Sequence, residues 1–174
     1  MAIDNQTVLQ RVSSAFPDAV LSSSTFRDDL TVQIAADHLV AVTQFLRDDA
    51  ELRYVLLENL CGVDYLGREP RFEVVYHLFS LAQVHRLCLK VGVPEEHPHV
   101  PSVVEVWPTA NWQEREAYDM FGIIFDGHPS LERILMPDDW EGHPQRKDVP
   151  LGGEEVAFTF NAEQIYAHKV FAKE

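Results

Sequence analysis

Basic residues are scarce in this chain: 14 Lys and Arg stand against 28 Asp and Glu in 174 residues, a formal net charge of −14. Neutralising phosphates needs clustered cations, and here they are scattered, so nucleic acid is excluded as a partner class. An anionic lipid surface is disfavoured for the same reason. Long apolar runs are missing too. Nothing approaches the roughly 18–20 consecutive apolar residues of a spanning helix, so no transmembrane segment is expected. Residues Met1–Gln10 carry no basic stretch leading into an apolar core, and the chain reads as cytosolic in character.

Cysteine is nearly absent. Cys61 and Cys88 each sit inside an apolar run, the setting of a small buried hydrophobe, and two thiols cannot complete a four-cysteine iron–sulfur or zinc site. A structural disulfide is not expected without secretory signals. Chemistry-bearing loops are lacking as well: no G-x-G-x-x-G follows a strand, and there is no Walker loop, no serine nucleophile elbow and no H-E-x-x-H. Gly152-Gly153 stands alone and reads as a turn.

What is present is an ordinary globular composition, 46% hydrophobic, with enough chain to bury on the order of 70% of its unfolded surface. Apolar residues Val8, Leu9, Val12, Ala15 and Phe16 share one helical face from Thr7 to the stop at Pro17. Ala19–Ser23 and the alternation Leu30, Val32, Ile34 read as a hairpin with turn chemistry at Asp28-Asp29. Asp37 can cap a second helix whose apolar positions are Leu39, Val42, Phe45 and Leu46. Three strand-like runs follow, Tyr54–Asp64, Arg71–Ser80 and Val84–Val91. The middle one is apolar on both faces, as in a covered strand or one inside a sheet. The last alternates Leu87, Leu89, Val91 with Arg86, Cys88, Lys90, which predicts one wetter face. The order helix, two strands, helix, three strands predicts an α+β fold in two layers, helices packed on a mixed or antiparallel sheet, over residues 1–93.

From Pro94 onward the character changes, because eight of the ten prolines lie there and deny long helices and central strands. Two short helices fit in 94–121, completing the domain: one opened by a Ser102/Glu105 capping box and stopped by Pro108, and one from Asn111 to Phe121 closed by Gly122. On the latter, Arg115 and Asp119 are spaced to pair, and Glu114, Arg115, Glu116 and Asp119 read as a salt-bridged helix face, or as carboxylates for acid–base work. Residues 122–174 read as an extended C-terminal arm. The stretch 122–150 is rich in large apolar residues yet broken by prolines, so it reads as an arm lying across a partner surface, with folding back on its own sheet the alternative; extended, it spans about 95 Å at ~3.3 Å per residue. A last helix-like segment covers 162–171.

Three His-Pro pairs, at His97, His128 and His143, project from extended backbone. Glu95-Glu96-His97-Pro98-His99 has donors that suit a divalent metal but is more ordinary as a solvated loop, and no metal site is assigned. His128 and His143 suit hydrogen bonding within the arm or to the partner, with proton transfer the alternative. Arg146 in Arg146-Lys147-Asp148 suits bidentate pairing to a carboxylate on another segment or subunit.

The ordered run Glu114-Arg115-Glu116, Tyr118-Asp119-Met120-Phe121-Gly122-Ile123, Gly127-His128-Pro129, Arg133-Ile134-Leu135-Met136-Pro137 and Gly142-His143-Pro144-Gln145-Arg146-Lys147-Asp148 resembles the signature of a known family. That family is the 30 kDa subunit of the proton-translocating NADH:quinone oxidoreductase, complex I. The resemblance extends more loosely through Asn111-Trp112, Pro101-Ser102-Val103, Val74–Leu78 and Gly62-Val63-Asp64-Tyr65. Two positions depart from it, Glu132 where a basic residue or proline is usual and Gln145 where leucine is common.

The resemblance implies a non-catalytic peripheral-arm subunit in a hetero-oligomer on the cytoplasmic side of the cell membrane. It implies that this chain binds no cofactor, with FMN, iron–sulfur clusters and quinone held by neighbouring subunits. It further implies an arm wrapped around the hydrogenase-like large subunit of complex I, which helps form the quinone pocket, among other peripheral-arm subunits. Glu114, Arg115, Asp119, Arg146, Lys147 and Asp148 would fix that arm. A ferredoxin- or hydrogenase-linked relative of the complex is the alternative within the family, and a free-standing metal-dependent enzyme using His97 and His99 the alternative outside it.

Overall fold

The computed structural model describes residues 3–149 and Glu163. Helix α1 spans Asn5–Ala15 and buries Val8 and Val12. It starts two residues before the expected Thr7 because Asp4 caps it, its Oδ1 accepting from the Thr7 N–H at 2.9 Å. Strands β1 (Val20–Phe26) and β2 (Asp29–Ile34) form the expected antiparallel hairpin. The turn lies one residue earlier than expected, at Arg27 and Asp28, both at positive φ, so Asp29 already belongs to β2.

Asp37 does not cap the second helix. A 3₁₀ turn over Ala36–His38 leads straight into α2 (Leu39–Asp48), and neither start has a side-chain cap. The apolar face of α2 buries Leu39, Val42 and Leu46 as the spacing predicts. Strands β3 (Leu56–Asp64), β4 (Phe72–Ser80) and β5 (His85–Val93) make an antiparallel meander. The sheet order is β1-β2-β5-β4-β3, with β2 and β5 parallel, so the sheet is mixed. Residues 35–55, including α2, supply the long connection that takes the chain from β2 to the far edge of the sheet.

Register rows carry the core across the strands: Leu30–Leu87–Leu78, Val32–Leu89–Tyr76 and Ile34–Val91–Val74 lie side by side on the helix-covered face. The other face bears His77, Arg86, Cys88 and Lys90 and is the wetter one anticipated from β5. Both cysteines are free and half-buried.

Beyond β5 the chain adds β6 (His99–Pro101), α3 (Ala110–Phe121) and β7 (Ile124–Asp126), β6 and β7 pairing in parallel. The expected helix opening at Ser102 is absent. The Ser102 hydroxyl donates to the Glu114 carboxylate at 2.6 Å and accepts from the Val104 N–H at 3.2 Å, tying α3 to a turn over residues 104–106 with no helix between. Helix α3 ends as expected: Gly122 takes φ +76° and its N–H donates to the Tyr118 carbonyl at 2.8 Å. Residues 127–149 have no helix or strand. No described helix is long and apolar enough to cross a membrane. The expected turn at Gly152-Gly153 and helix at 162–171 lie outside the described residues, Glu163 excepted.

Candidate functional site

The side chains of the signature run converge on one task, holding irregular backbone against α3 and the sheet. Asp119, in the last turns of α3, is fully buried. Its Oδ2 accepts from the N–H groups of Leu135 at 2.8 Å, Met136 at 2.9 Å and Ile134 at 3.2 Å, while Oδ1 accepts from Arg133 Nη1 at 2.6 Å. Burial alone would raise this acid. The Met136 and Leu135 N–H groups, Arg133 and the Ile134 N–H outweigh it and hold the carboxyl below its ordinary value.

Arg115 does not pair with Asp119, contrary to the i,i+4 expectation. Its Nε and Nη2 donate to the carbonyls of Glu132 and Arg133 at 3.0 and 3.1 Å, and its guanidinium lies over the Trp112 ring. Arg133, after meeting Asp119, donates to the carbonyls of Trp140 and Gly142 at 3.1 and 3.0 Å. An arginine reaching past a helical neighbour to main-chain carbonyls orders a loop that has no secondary structure of its own. At Glu132, one of the two departures, the carbonyl and not the exposed side chain makes the contact with Arg115.

Glu114 also differs from expectation. It is buried with no cation, accepting from Ser102 Oγ and from the Val103 N–H at 2.7 Å, and burial pushes its carboxyl up to about 7. The salt-bridged helix face anticipated for α3 is therefore absent at this position, and Glu116 is exposed.

His128 accepts from the Ser130 N–H at Nδ1 (3.0 Å), so its Nε2–H donates to the Asn111 carbonyl at 3.2 Å. His143 faces the Asp119 carbonyl through Nδ1 at 2.9 Å and must donate there. Gly127 and Gly142 turn the chain at positive φ, Pro129 and Pro137 are exposed, and Pro144 is half-buried. A Cβ on Gly122 would come within 2.5 Å of Arg146 Nη2 and 2.6 Å of the His143 ring, so this position needs glycine for space as well as for φ. The Phe121 ring lies against Gly62, which has room for no side chain there.

The segment ends on a charge cluster rooted in the sheet. Arg71, only 2% exposed, donates in a fork to Asp64, Nε to Oδ1 at 2.9 Å and Nη2 to Oδ2 at 2.8 Å. It also bonds Glu95 and, at 3.0–3.1 Å, both carboxylate oxygens of Asp148. The Lys147 N–H donates to Asp64 Oδ2 at 2.8 Å, leaving the lysine side chain exposed. Hydrogen bonds from Arg71 hold Asp64 and Asp148 below their ordinary values. Arg146, expected to pair with a carboxylate, donates instead to the Phe121 carbonyl at 2.6 Å and lies over the Phe72 ring. Gln145 ties in through its backbone, its N–H donating to the Met120 carbonyl at 3.1 Å.

Residues 122–149 are thus held on their own domain, where an arm lying across a partner surface was expected, because Asp119, Arg115 and Arg71 satisfy their polar groups within the chain. Arg71 is not among the expected site residues, its signal being a lone arginine opening a strand otherwise apolar on both faces, and Glu95, read as a loop or metal donor, bonds Arg71 instead. His97 and His99 stack on each other at 4.1 Å, and His99 Nδ1 is 2.9 Å from Asp126. Among the described residues no three His, Cys, Asp or Glu side chains gather as a metal would require.

Comparison with known proteins agrees with this arrangement. The profile of the family described as respiratory-chain NADH dehydrogenase, 30 Kd subunit, matches residues 32–155. A curated NADH-quinone oxidoreductase subunit of Roseiflexus castenholzii is 70% identical over 174 residues, all of both chains. Among solved structures, the trypsin-resistant fragment (1-134) of Nqo5 is 32% identical, covering 72% of this chain and 98% of its own, with a TM-score of 0.61. A chain of the membrane-bound sulfane sulfur reductase, an archaeal respiratory membrane complex, shares the fold: TM-score 0.70 at 24% identity over 97% of this chain and 95% of its own.

Proposed function

This chain belongs to the 30 kDa subunit family of respiratory-chain NADH dehydrogenases, and from that premise we propose that it is a non-catalytic peripheral-arm subunit of a proton-translocating NADH:quinone oxidoreductase. In this reading it supports assembly and stiffens the quinone-site subunit, so that electrons pass from NADH through FMN and iron–sulfur clusters in neighbouring subunits to quinone. It binds no cofactor itself. It sits on the cytoplasmic side of the membrane as a peripheral component, its residues after Val149 wrapped around the hydrogenase-like large subunit.

The observation that carries this reading is the Arg71 cluster. Asp148 and the Lys147 N–H are pinned to a buried guanidinium and its partner carboxylate, so the irregular segment is fixed to the domain as far as Asp148. The polar atoms of Asp119, Arg115, Arg133 and Arg146 are spent on main-chain groups and on one another, the pattern of a support rather than of a reacting centre.

Affinity purification of the tagged chain from gently solubilised membranes, with mass spectrometry of what is retained, tests the reading. Recovery with the hydrogenase-like large subunit and with the cluster-, flavin- and NADH-binding subunits is expected. Recovery with nickel-type hydrogenase subunits would assign it to the hydrogenase-linked relatives, and recovery as a lone protein would sink it. An Arg146→Ala complex that assembles with normal stability yet has no turnover would refute a purely supporting role.

A further inference from the structure

Trp112 on α3 is 64% exposed and Leu135 58%, and both are held in fixed places. Residues 133–142 form a closed loop. Its first residue, Arg133, donates through Nη2 to the carbonyls of Trp140 and Gly142 near its other end, while Asp119 takes the N–H groups of Ile134, Leu135 and Met136. Trp112, Arg115 and Asp119 follow one face of α3, about 10 Å from end to end at ~1.5 Å per residue. Arg115 lies over the Trp112 ring and donates to the carbonyls of Glu132 and Arg133, where the chain enters the loop. One clamp therefore positions the indole and the leucine together.

A lone exposed apolar side chain needs no explanation. These two differ because order is imposed beneath them: a fully buried carboxylate and two guanidinium groups spend their hydrogen bonds on the backbone around Leu135, whose side chain is left facing outward. An apolar side chain on a fixed backbone loses little freedom on contact, and tryptophan and arginine dominate contact energies between proteins. The rim of the surface has one sign of charge. Glu132, Asp138, Asp139 and Glu141 are exposed, and among the described residues none of them forms an ion pair. Arg133, the one cation within the loop, faces inward to Asp119.

We propose that the outer surface of the 133–142 loop, with Trp112 beside it, is a preformed docking surface for a neighbouring subunit whose contact patch is apolar at its centre and carries Lys or Arg around it. Trp112 and Leu135 enter the apolar centre, and the cations meet Asp138, Asp139 and Glu141. A second copy of this chain does not fit that description, because it brings the same acidic rim and a net charge of −14. The inference rests on the reading above that this chain works inside a hetero-oligomeric complex, and it adds a contact separate from the residues after Val149.

The test uses the purified complex carrying a photo-cross-linking amino acid in place of Leu135, with the joined peptide identified by mass spectrometry. The expected product links this position to a Lys- or Arg-bearing stretch of another subunit. Leu135→Glu and, separately, Asp138→Lys combined with Asp139→Lys, all at exposed positions, should each lower recovery of that subunit several-fold while leaving the chain's own Tm unchanged. Cross-links confined to this chain or its copies, cross-links to an acidic stretch, or undiminished recovery with either variant overturns the docking surface while leaving the complex reading intact. Failure of the wild-type chain to bring down any multi-subunit complex overturns both.

Discussion

Arg71 and Asp148, 77 positions apart in the chain, are joined by two contacts of 3.0–3.1 Å, and this pair closes the irregular segment onto the sheet. The two partners are unequal. Arg71 is buried and also holds the buried Asp64, whereas Asp148 is half exposed.

Replacing Arg71 with Met should therefore be far worse than replacing Asp148 with Ala. The first strands the Asp64 carboxylate in the interior, a loss of about 3–5 kcal/mol. The second removes one partly screened partner and costs about 1 kcal/mol or less. Thermal unfolding measures both, and limited proteolysis after residue 146 should rise in Asp148→Ala even though Tm barely moves. Equal losses from the two variants would show that the cluster does not have this hierarchy.

Asp119→Asn keeps the size of the side chain but removes the charge that Arg133 and three N–H groups address. Amide exchange at Ile134, Leu135 and Met136 should accelerate together while β4 and β5 stay protected. The wild type should also lose stability in acid. Asp119, Asp64 and Asp148 all have folded values below the ordinary carboxylate value of 3.8, so their stabilisation is complete above it. It is lost as pH falls through the folded values, where the native carboxylates take up protons. A stability plateau that extended down to about pH 2 would contradict this.

Glu114 should act in the opposite sense. Its folded carboxyl is pushed up from 4.5 to about 7 by burial, so the native state holds a proton there that the unfolded chain has released. Stability from this residue is full below the unfolded value and declines as pH rises through about 7. Glu114→Gln cannot ionise and should flatten that decline, gaining on the wild type at about pH 8 relative to about pH 5 in urea unfolding. Parallel curves for the two proteins would rule the effect out.

Gly122→Ala should destabilise by about 1 kcal/mol from the left-handed backbone alone, and by more because the methyl meets Arg146 and His143. The Arg146 Nε bond to the Phe121 carbonyl is the contact displaced first. A double variant with Arg146→Ala should recover part of the loss, since the obstructing guanidinium is gone. Strict additivity of the two changes in Tm would exclude that coupling.

Local order was plain in the residues themselves. Apolar runs marked β3 and β4, alternation marked β2 and the wetter face of β5, apolar spacing marked α1 and α2, and Gly122 marked the end of α3, because each depends on residues within a turn or two of one another. The proline spacing after residue 94 correctly denied regular structure to 127–149. The family signature was legible for the same reason, being a contiguous run.

The partners of the polar side chains were settled by packing. Asp119 had Arg115 one helical turn away, yet it bonds Arg133 and three backbone amides, because a fully buried carboxylate needs more donors than one neighbour supplies. Ser102 matched a capping box, yet no helix opens there and its hydroxyl donates to buried Glu114. The parallel contact of β2 with β5 and the meeting of Arg71 with Asp148 join residues far apart in the chain, and no local pattern records which distant segments come together. Neighbouring residues carry the elements and their inward faces; burial and long-range closure choose which charges meet.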